Sequence, residues 1–130
     1  MGMLGAVDYP PEVAIRVCQT WVRDRHLLGL PRKKSHKIPL LDVIAQDFEP
    51  GHTYSAEEVQ SVLQEWHRDT ATLRRYLVDE GFLDRFADGS QWWRCGGTVD
   101  LDVDALLAEA AKRWAQSRKR RSRRNSEKSP

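Results

Sequence analysis

Two cysteines, Cys18 and Cys95, are all that the 130 residues contain, too few for a disulfide framework. The expected setting is therefore reducing and cytoplasmic. Long apolar runs are missing too. No stretch approaches the roughly 18 residues a spanning helix needs, so no membrane partner is expected. Met1 to Asp8 have neither a basic start nor a long apolar stretch, and no secretory signal is read there. The chain also lacks a nucleophile elbow, a glycine-rich phosphate loop and any metal-ligand spacing. Cys18, His26, His36 and Cys95 fall in separate elements, and His52 and His67 are isolated. No catalytic residue, cofactor or metal is expected. With 40% apolar and 31% charged residues, burial has to be concentrated in a few amphipathic elements. A core of about 70–90 residues with tails fits this length and excludes a multidomain enzyme.

What the chain does have is charge, unevenly spread. Lys112 to Pro130 hold nine basic residues and one acid, Glu127, whereas residues 1–111 hold 12 basic and 18 acidic residues. A net charge of +2 thus hides a body of −6 and an end of +8. The run Arg118-Lys119-Arg120-Arg121-Ser122-Arg123-Arg124 reads either as a disordered, solubilising end or as a polyanion contact.

Local signals divide the rest. Pro10-Pro11 open a helix reaching about Asp24, with Val13, Val17, Cys18, Trp21 and Val22 on one stripe. A connector over 25–37 carries Arg32, Lys33, Lys34 and Lys37. Pro39 begins a second helix, about 39–48, stopped by Glu49-Pro50-Gly51. His52-Thr53-Tyr54 suits one bridge of strand. Ser55 and Glu58 form a capping box, with Tyr54 and Val59 as its hydrophobic staple, and start a helix running to about His67. Asp69 caps the next helix, about 70–80, and Gly81 ends it. Leu73 and Leu77 define its buried face. Arg68, Ala71, Thr72, Arg75 and Asp79 point away, and Arg74 lies to the side. A hairpin follows, Phe82–Phe86 and Gln91–Arg94, turning at Asp88-Gly89. Of Trp92 and Trp93, one packs inward and the other outward. The last helix, about 102–117, carries Val103, Leu106, Leu107, Ala110, Ala111 and Trp114 on one stripe.

Helix, helix, short break, helix and hairpin is the order of a winged helix-turn-helix. The expected fold is mainly α (α+β) with a two-stranded wing and flanking N- and C-terminal helices. The segments are 1–24, a packing helix; 25–95, the winged helix; 96–117, the C-terminal helix; and 118–130, a disordered basic tail. In such folds the helix before the hairpin enters the DNA major groove. The sequence also resembles a known family. Phe48-Glu49-Pro50-Gly51, Tyr54-Ser55-x-x-Glu58-Val59, Asp69-x-Ala71-x-Leu73-Arg74-Arg75-x-Leu77-Val78-Asp79 and Gly81-x-Leu83-x-Arg85 are similar, in order and spacing, to the domain of unknown function 2087 family. The likeness runs over about residues 28–94, with Gln60 standing where that family usually has Asn. It implies a winged helix and an association with ArsR-type transcriptional regulators, and implies no activity.

Double-stranded DNA is the expected partner. Arg75 is placed to read a base or hold a phosphate, with Thr72 and Arg68 positioning on the backbone, and Thr70 and Arg74 are further expected DNA contacts. Arg85 and Arg94 flank the hairpin beside the groove. Arg118, Lys119, Arg120 and Arg121 add salt-sensitive affinity. The alternative is a winged-helix protein-interaction module that reads no DNA. Between Ile38 and Arg94 eleven acids face five arginines, Asp79 shares a face with Arg75, and DNA readers are usually basic on the working face. In that case Arg74 and Arg75 pair with Glu58, Glu65 or Asp79. The stripes of the two terminal helices bury either against the winged helix or in a homodimer.

Overall fold

The computed structural model describes residues 9–127, and the side chains of residues 9–119. Among the described residues it contains five helices and two small antiparallel sheets, an α+β arrangement around one apolar cluster. Helix α1 (Pro11–Trp21) starts at a proline, whose absent N–H would be unpaired there anyway. It stops at Trp21 because the chain turns directly into a hairpin, β1 (Val22–Arg23) and β2 (His26–Leu27). Asp24 and Arg25 both have positive φ, the combination a two-residue hairpin turn requires. No glycine announces this turn, and the boundary expected between residues 24 and 25 falls inside it. Arg25 is held by the carboxylates of Asp47 and Asp104, each at 3.4 Å, and lies over the Trp66 ring.

Helix α2 (Lys34–Ala45) begins five residues before the expected Pro39. Proline inside a helix removes one hydrogen bond and costs about 3 kcal/mol. Residues 39–45 are buried throughout, and each large apolar side chain buried returns roughly 1.5–3 kcal/mol, so packing outweighs the break. Helix α3 (Ala56–Trp66) carries the capping box in full: Ser55 Oγ accepts from Glu58 N at 3.1 Å, and Glu58 Oε1 accepts from Ser55 N at 3.0 Å. Helix α4 (Thr70–Asp79) follows after a break of three residues. Gly81, at φ +80°, lets the chain close α4: its N–H reaches Val78 O at 3.1 Å, and Phe82 N reaches Leu77 O at 2.8 Å.

The expected hairpin is β4 (Leu83–Arg85) with β5 (Trp92–Arg94), and it gains a third strand, β3 (Thr53–Tyr54), in the order β3-β5-β4. Trp92 faces the core and Trp93 the outside. Helix α5 (Val103–Glu127) runs well past the expected end near 117. The helix thus takes in the basic stretch to Glu127, and residues 128–130 of the expected tail lie outside the described residues. Ala, Gln, Arg, Lys and Glu are good helix formers, and no glycine or proline interrupts them. The two terminal helices pack on each other and on the body: Ala14, Val17 and Cys18 of α1 share the core with Leu106 and Ala110 of α5. Arg113 of α5 donates to Glu109 and, across the pair, to Glu12 of α1. Trp21 of α1 donates from Nε1 to His36 Nδ1 in α2 at 2.9 Å. The stripes pack in part against the body of the same chain, while Ala111 is exposed and Trp21 and Trp114 are half-buried. No helix among the described residues is long and apolar enough to cross a membrane.

Candidate nucleic-acid interface

Leu73 and Leu77 seat α4 in the core. That leaves Arg68, at the preceding turn, and Ala71, Arg75 and Asp79 on an exposed face, with Thr72 and Arg74 half-buried beside it. The start of α4 is held twice. Asp69 accepts from Thr72 N at 3.2 Å and from the Thr72 hydroxyl at 2.7 Å, and these bonds hold its carboxyl below the usual carboxylate range. Thr70 donates its hydroxyl to Gln60 Oε1 at 2.7 Å, tying α4 to α3.

The β4–β5 hairpin then closes a shallow cleft of about 340 Å³ against α4, lined by Ala71, Arg74, Arg75, Asp79, Arg85 and Trp92 among others. Trp92 is its floor. The guanidiniums of Arg74 and Arg85 lie 5.7 and 5.4 Å from the centroid of this one ring, close enough for cation–π attraction to hold both. Arg75 lies 5.9 Å from the Tyr76 ring. Among the described residues Arg68, Arg74, Arg75 and Arg85 make no ion pair within 4.0 Å. Pairing of Arg74 or Arg75 with Glu58, Glu65 or Asp79 is thus not what the fold does with them.

Six of the eleven acids of the same region are buried or have partners of their own. Asp42 is buried, Asp47 accepts from Trp66 Nε1 and Arg25, and Glu58 and Asp69 cap helices. Glu80 pairs with Lys34 and Lys37 of α2, and Asp88 holds the hairpin turn through Ser90. A negative sum over residues 38–94 therefore coexists with an unpaired basic cleft. Asp79 is the carboxylate that lines the cleft itself.

Three expected contacts are placed differently. Arg94 is buried, at 6% exposure. It donates to the carbonyls of Gly96, Phe48 and Thr98 at 3.0, 3.2 and 2.7 Å, and burial lowers its pKa. It is a brace of the fold, inaccessible to a phosphate, because β5 alternates and Arg94 shares the inward face with Trp92. Thr70 is buried as well, at 7%, with its hydroxyl committed to Gln60. The Thr72 hydroxyl is committed to Asp69. Arg118 and Lys119 are exposed on α5, whereas the side chains of Arg120 and Arg121 lie outside the described residues.

Sequence reasoning missed Trp92 as the platform that gathers Arg74 and Arg85, because the pairing of α4 with the hairpin is a tertiary event. It missed the polar node around Asp42 for the same reason. Asp42 accepts from the Thr98 N–H and hydroxyl, from Gln46 and from Tyr9. Burial and the Asp42 hydrogen bond together push the Tyr9 hydroxyl above its ordinary pKa. The unbroken acidic and apolar context of Asp42 in α2 gave no sign of it.

The family model described as "Uncharacterized protein conserved in bacteria (DUF2087)" matches residues 26–94, just over half of the chain. No curated protein and no solved structure matches.

Proposed function

The chain belongs to this family of uncharacterized bacterial proteins, and we propose that it is a double-stranded-DNA-binding transcriptional regulator of the winged helix-turn-helix type. The observation that carries this reading is the cleft between α4 and the β4–β5 hairpin, where Arg74, Arg75 and Arg85 stand without ion pairs among the described residues. The element order α2-β3-α3-α4-β4-β5, with the sheet order β3-β5-β4, supports α4 as the helix offered to the major groove. In this reading Arg75, exposed on α4, reads a base edge or its flanking phosphate. Arg74 and Arg85 hold a backbone phosphate beside it, and Arg68 touches the backbone at the start of the helix. The basic part of α5 adds affinity without sequence preference. The proposed setting is the bacterial cytoplasm, with regulators of the ArsR type as the functional company.

A second reading, a protein-interaction module, is favoured by one observation. Phe86 is 52% exposed and stacks edge-on against Trp93 at 5.2 Å on the outer face of the hairpin, an apolar patch beside Asp84. The two readings separate in one experiment. Fluorescence anisotropy of the full chain is measured on a fragment of its own promoter and on a scrambled duplex, over a salt series. A preference of about 10³ or more establishes a sequence reader. Equal affinities that vanish as salt rises discard it in favour of the interaction module.

A further inference from the structure

A second tryptophan carries two arginines, far in sequence from α4. Trp114 of α5 has the Arg23 guanidinium 4.3 Å from its ring centroid and the Arg118 guanidinium at 4.9 Å. Sharing one ring keeps the two cations within roughly 9 Å of each other. The cleft they form is lined by Gln19, Thr20, Arg23, Trp114, Ser117 and Arg118, and encloses about 260 Å³. Among the described residues no carboxylate lines it, and neither arginine has an ion pair.

Arg23 is pinned. Its Nη1 donates to the carbonyls of Gln19 and Val22 at the end of α1, and burial lowers its pKa. Nε and Nη2 make no hydrogen bond among the described residues, so one edge of the guanidinium is left to a ligand. Arg118, one turn beyond Trp114, supplies a second planar donor. Two guanidiniums lining one cleft, with hydroxyl and amide groups beside them and no described carboxylate among the lining residues, suit a tetrahedral oxyanion that accepts hydrogen bonds from both.

We infer that Arg23, Trp114 and Arg118 form a phosphate-binding site at the junction of α1, the β1–β2 hairpin and α5. The ligand is a phosphate group, either a free or nucleotide phosphate or a phosphodiester of a nucleic-acid backbone. The site shares no residue with the α4 cleft; Arg118 lies in the basic part of α5, so the free-phosphate arm of the test is the one independent of the DNA-binding reading.

The test is NMR of the full chain, following the indole N–H of Trp114, assigned by its loss in Trp114→Phe, and the Arg23 and Arg118 Nε–H signals. Inorganic phosphate is titrated against chloride at matched ionic strength, and a 20-base-pair duplex is titrated in a second arm. Saturable movement of these three signals is expected, with affinity reduced at least tenfold in Arg118→Gln, a substitution at an exposed position that leaves the core intact. Movement with phosphate alone identifies a free phosphate or nucleotide as the source. Movement with the duplex at far lower concentration than phosphate identifies the nucleic-acid backbone. Shifts that follow ionic strength alone in both arms, or that persist unchanged in Arg118→Gln, overturn the site. Arg85→Gln, on the other cleft, leaves the Trp114 response to phosphate unaltered whatever it does to duplex binding.

Discussion

Thr98 donates both its backbone N–H, at 2.7 Å, and its hydroxyl, at 2.5 Å, to the carboxylate of Asp42, which lies 56 positions earlier and is fully buried. This pair ties the loop after β5 to the central helix α2. Gly97, at φ +103°, permits the approach, since a Cβ there would come within 2.8 Å of Asp42 Oδ1. Asp42→Ala removes the acceptor from Thr98, Gln46 and Tyr9 at once. A loss of about 3 kcal/mol is expected, because several buried donors are stranded. Urea denaturation checks it, and a loss under about 1 kcal/mol contradicts the role given to this node.

Arg94 and the cleft arginines separate fold from interface. Arg94→Met strands the carbonyls of Phe48, Gly96 and Thr98 and leaves Asp42 without its nearby cation. Expected is a drop in stability of about 2–4 kcal/mol, with the preference between promoter and scrambled duplex unchanged in the folded protein. Denaturation and anisotropy on the same preparation check both halves. A changed preference returns Arg94 to the interface.

What could be read ahead of the structure follows from range along the chain. The Ser55–Glu58 box, the Asp69 cap and the Gly81 stop involve partners within five residues, and all three helix ends fall within one or two positions of expectation. The turn at Asp24-Arg25 was invisible because Asp24 tolerates positive φ but Arg25 does not favour it, and no glycine follows. The early start of α2 was hidden by Pro39, whose local penalty is outweighed only by burial from every side. The same limit applies to the site. Periodicity places Arg75 and Ala71 outward on α4, but the joint hold of Trp92 on Arg74 and Arg85 needs the hairpin folded against the helix. The inward face of Arg94 follows from strand alternation once Trp92 is known to be the buried tryptophan.

Arg75 and Arg85 should fail differently. Arg75→Ala removes an exposed arginine of α4. A loss of roughly 1–3 kcal/mol on the preferred duplex is expected, with little change on the scrambled one. Arg85→Gln removes a phosphate partner in the proposed reading. Binding weakens on both duplexes alike, and the slope of log affinity against log salt becomes shallower by about 1. Anisotropy over the salt series checks both. Identical behaviour of the two variants contradicts the division of roles.

Acid should loosen the α3–α4 region in particular. The carboxyls of Glu58 and Asp69 lie below their ordinary pKa, Glu58 through the Ser55 backbone and side chain, Asp69 through the Thr72 side chain and backbone. A carboxyl with a lowered folded pKa adds stability that is present above the unfolded value, about 4, and is lost as pH falls through the folded one. The melting temperature therefore declines between about pH 5 and 3. The decline is shallower in a Glu58→Gln, Asp69→Asn double variant, which keeps hydrogen-bonding caps without the charge. Thermal melts across this range check it, and parallel curves contradict it.

In the proposed reading the basic end of α5 acts through its charge. Among the described residues the last buried α5 side chains are Leu106 and Ala110, and the helix continues beyond them to Glu127. Truncation after Lys119 removes Arg120, Arg121, Arg123, Arg124 and Lys128 but spares Trp114 and Arg118. Stability should change by less than about 0.5 kcal/mol, as for surface changes away from packed groups. Affinity for both duplexes should fall at low salt, and the salt slope should flatten, because fewer phosphates are neutralised and fewer condensed counterions are released on binding. The ratio between the duplexes should stay as in the full chain, because α4 is untouched. Anisotropy of the truncated and full chains, run side by side over the salt series, decides the point. If truncation abolishes the ratio while Arg75→Ala leaves it intact, α5 is the reader and α4 is the scaffold.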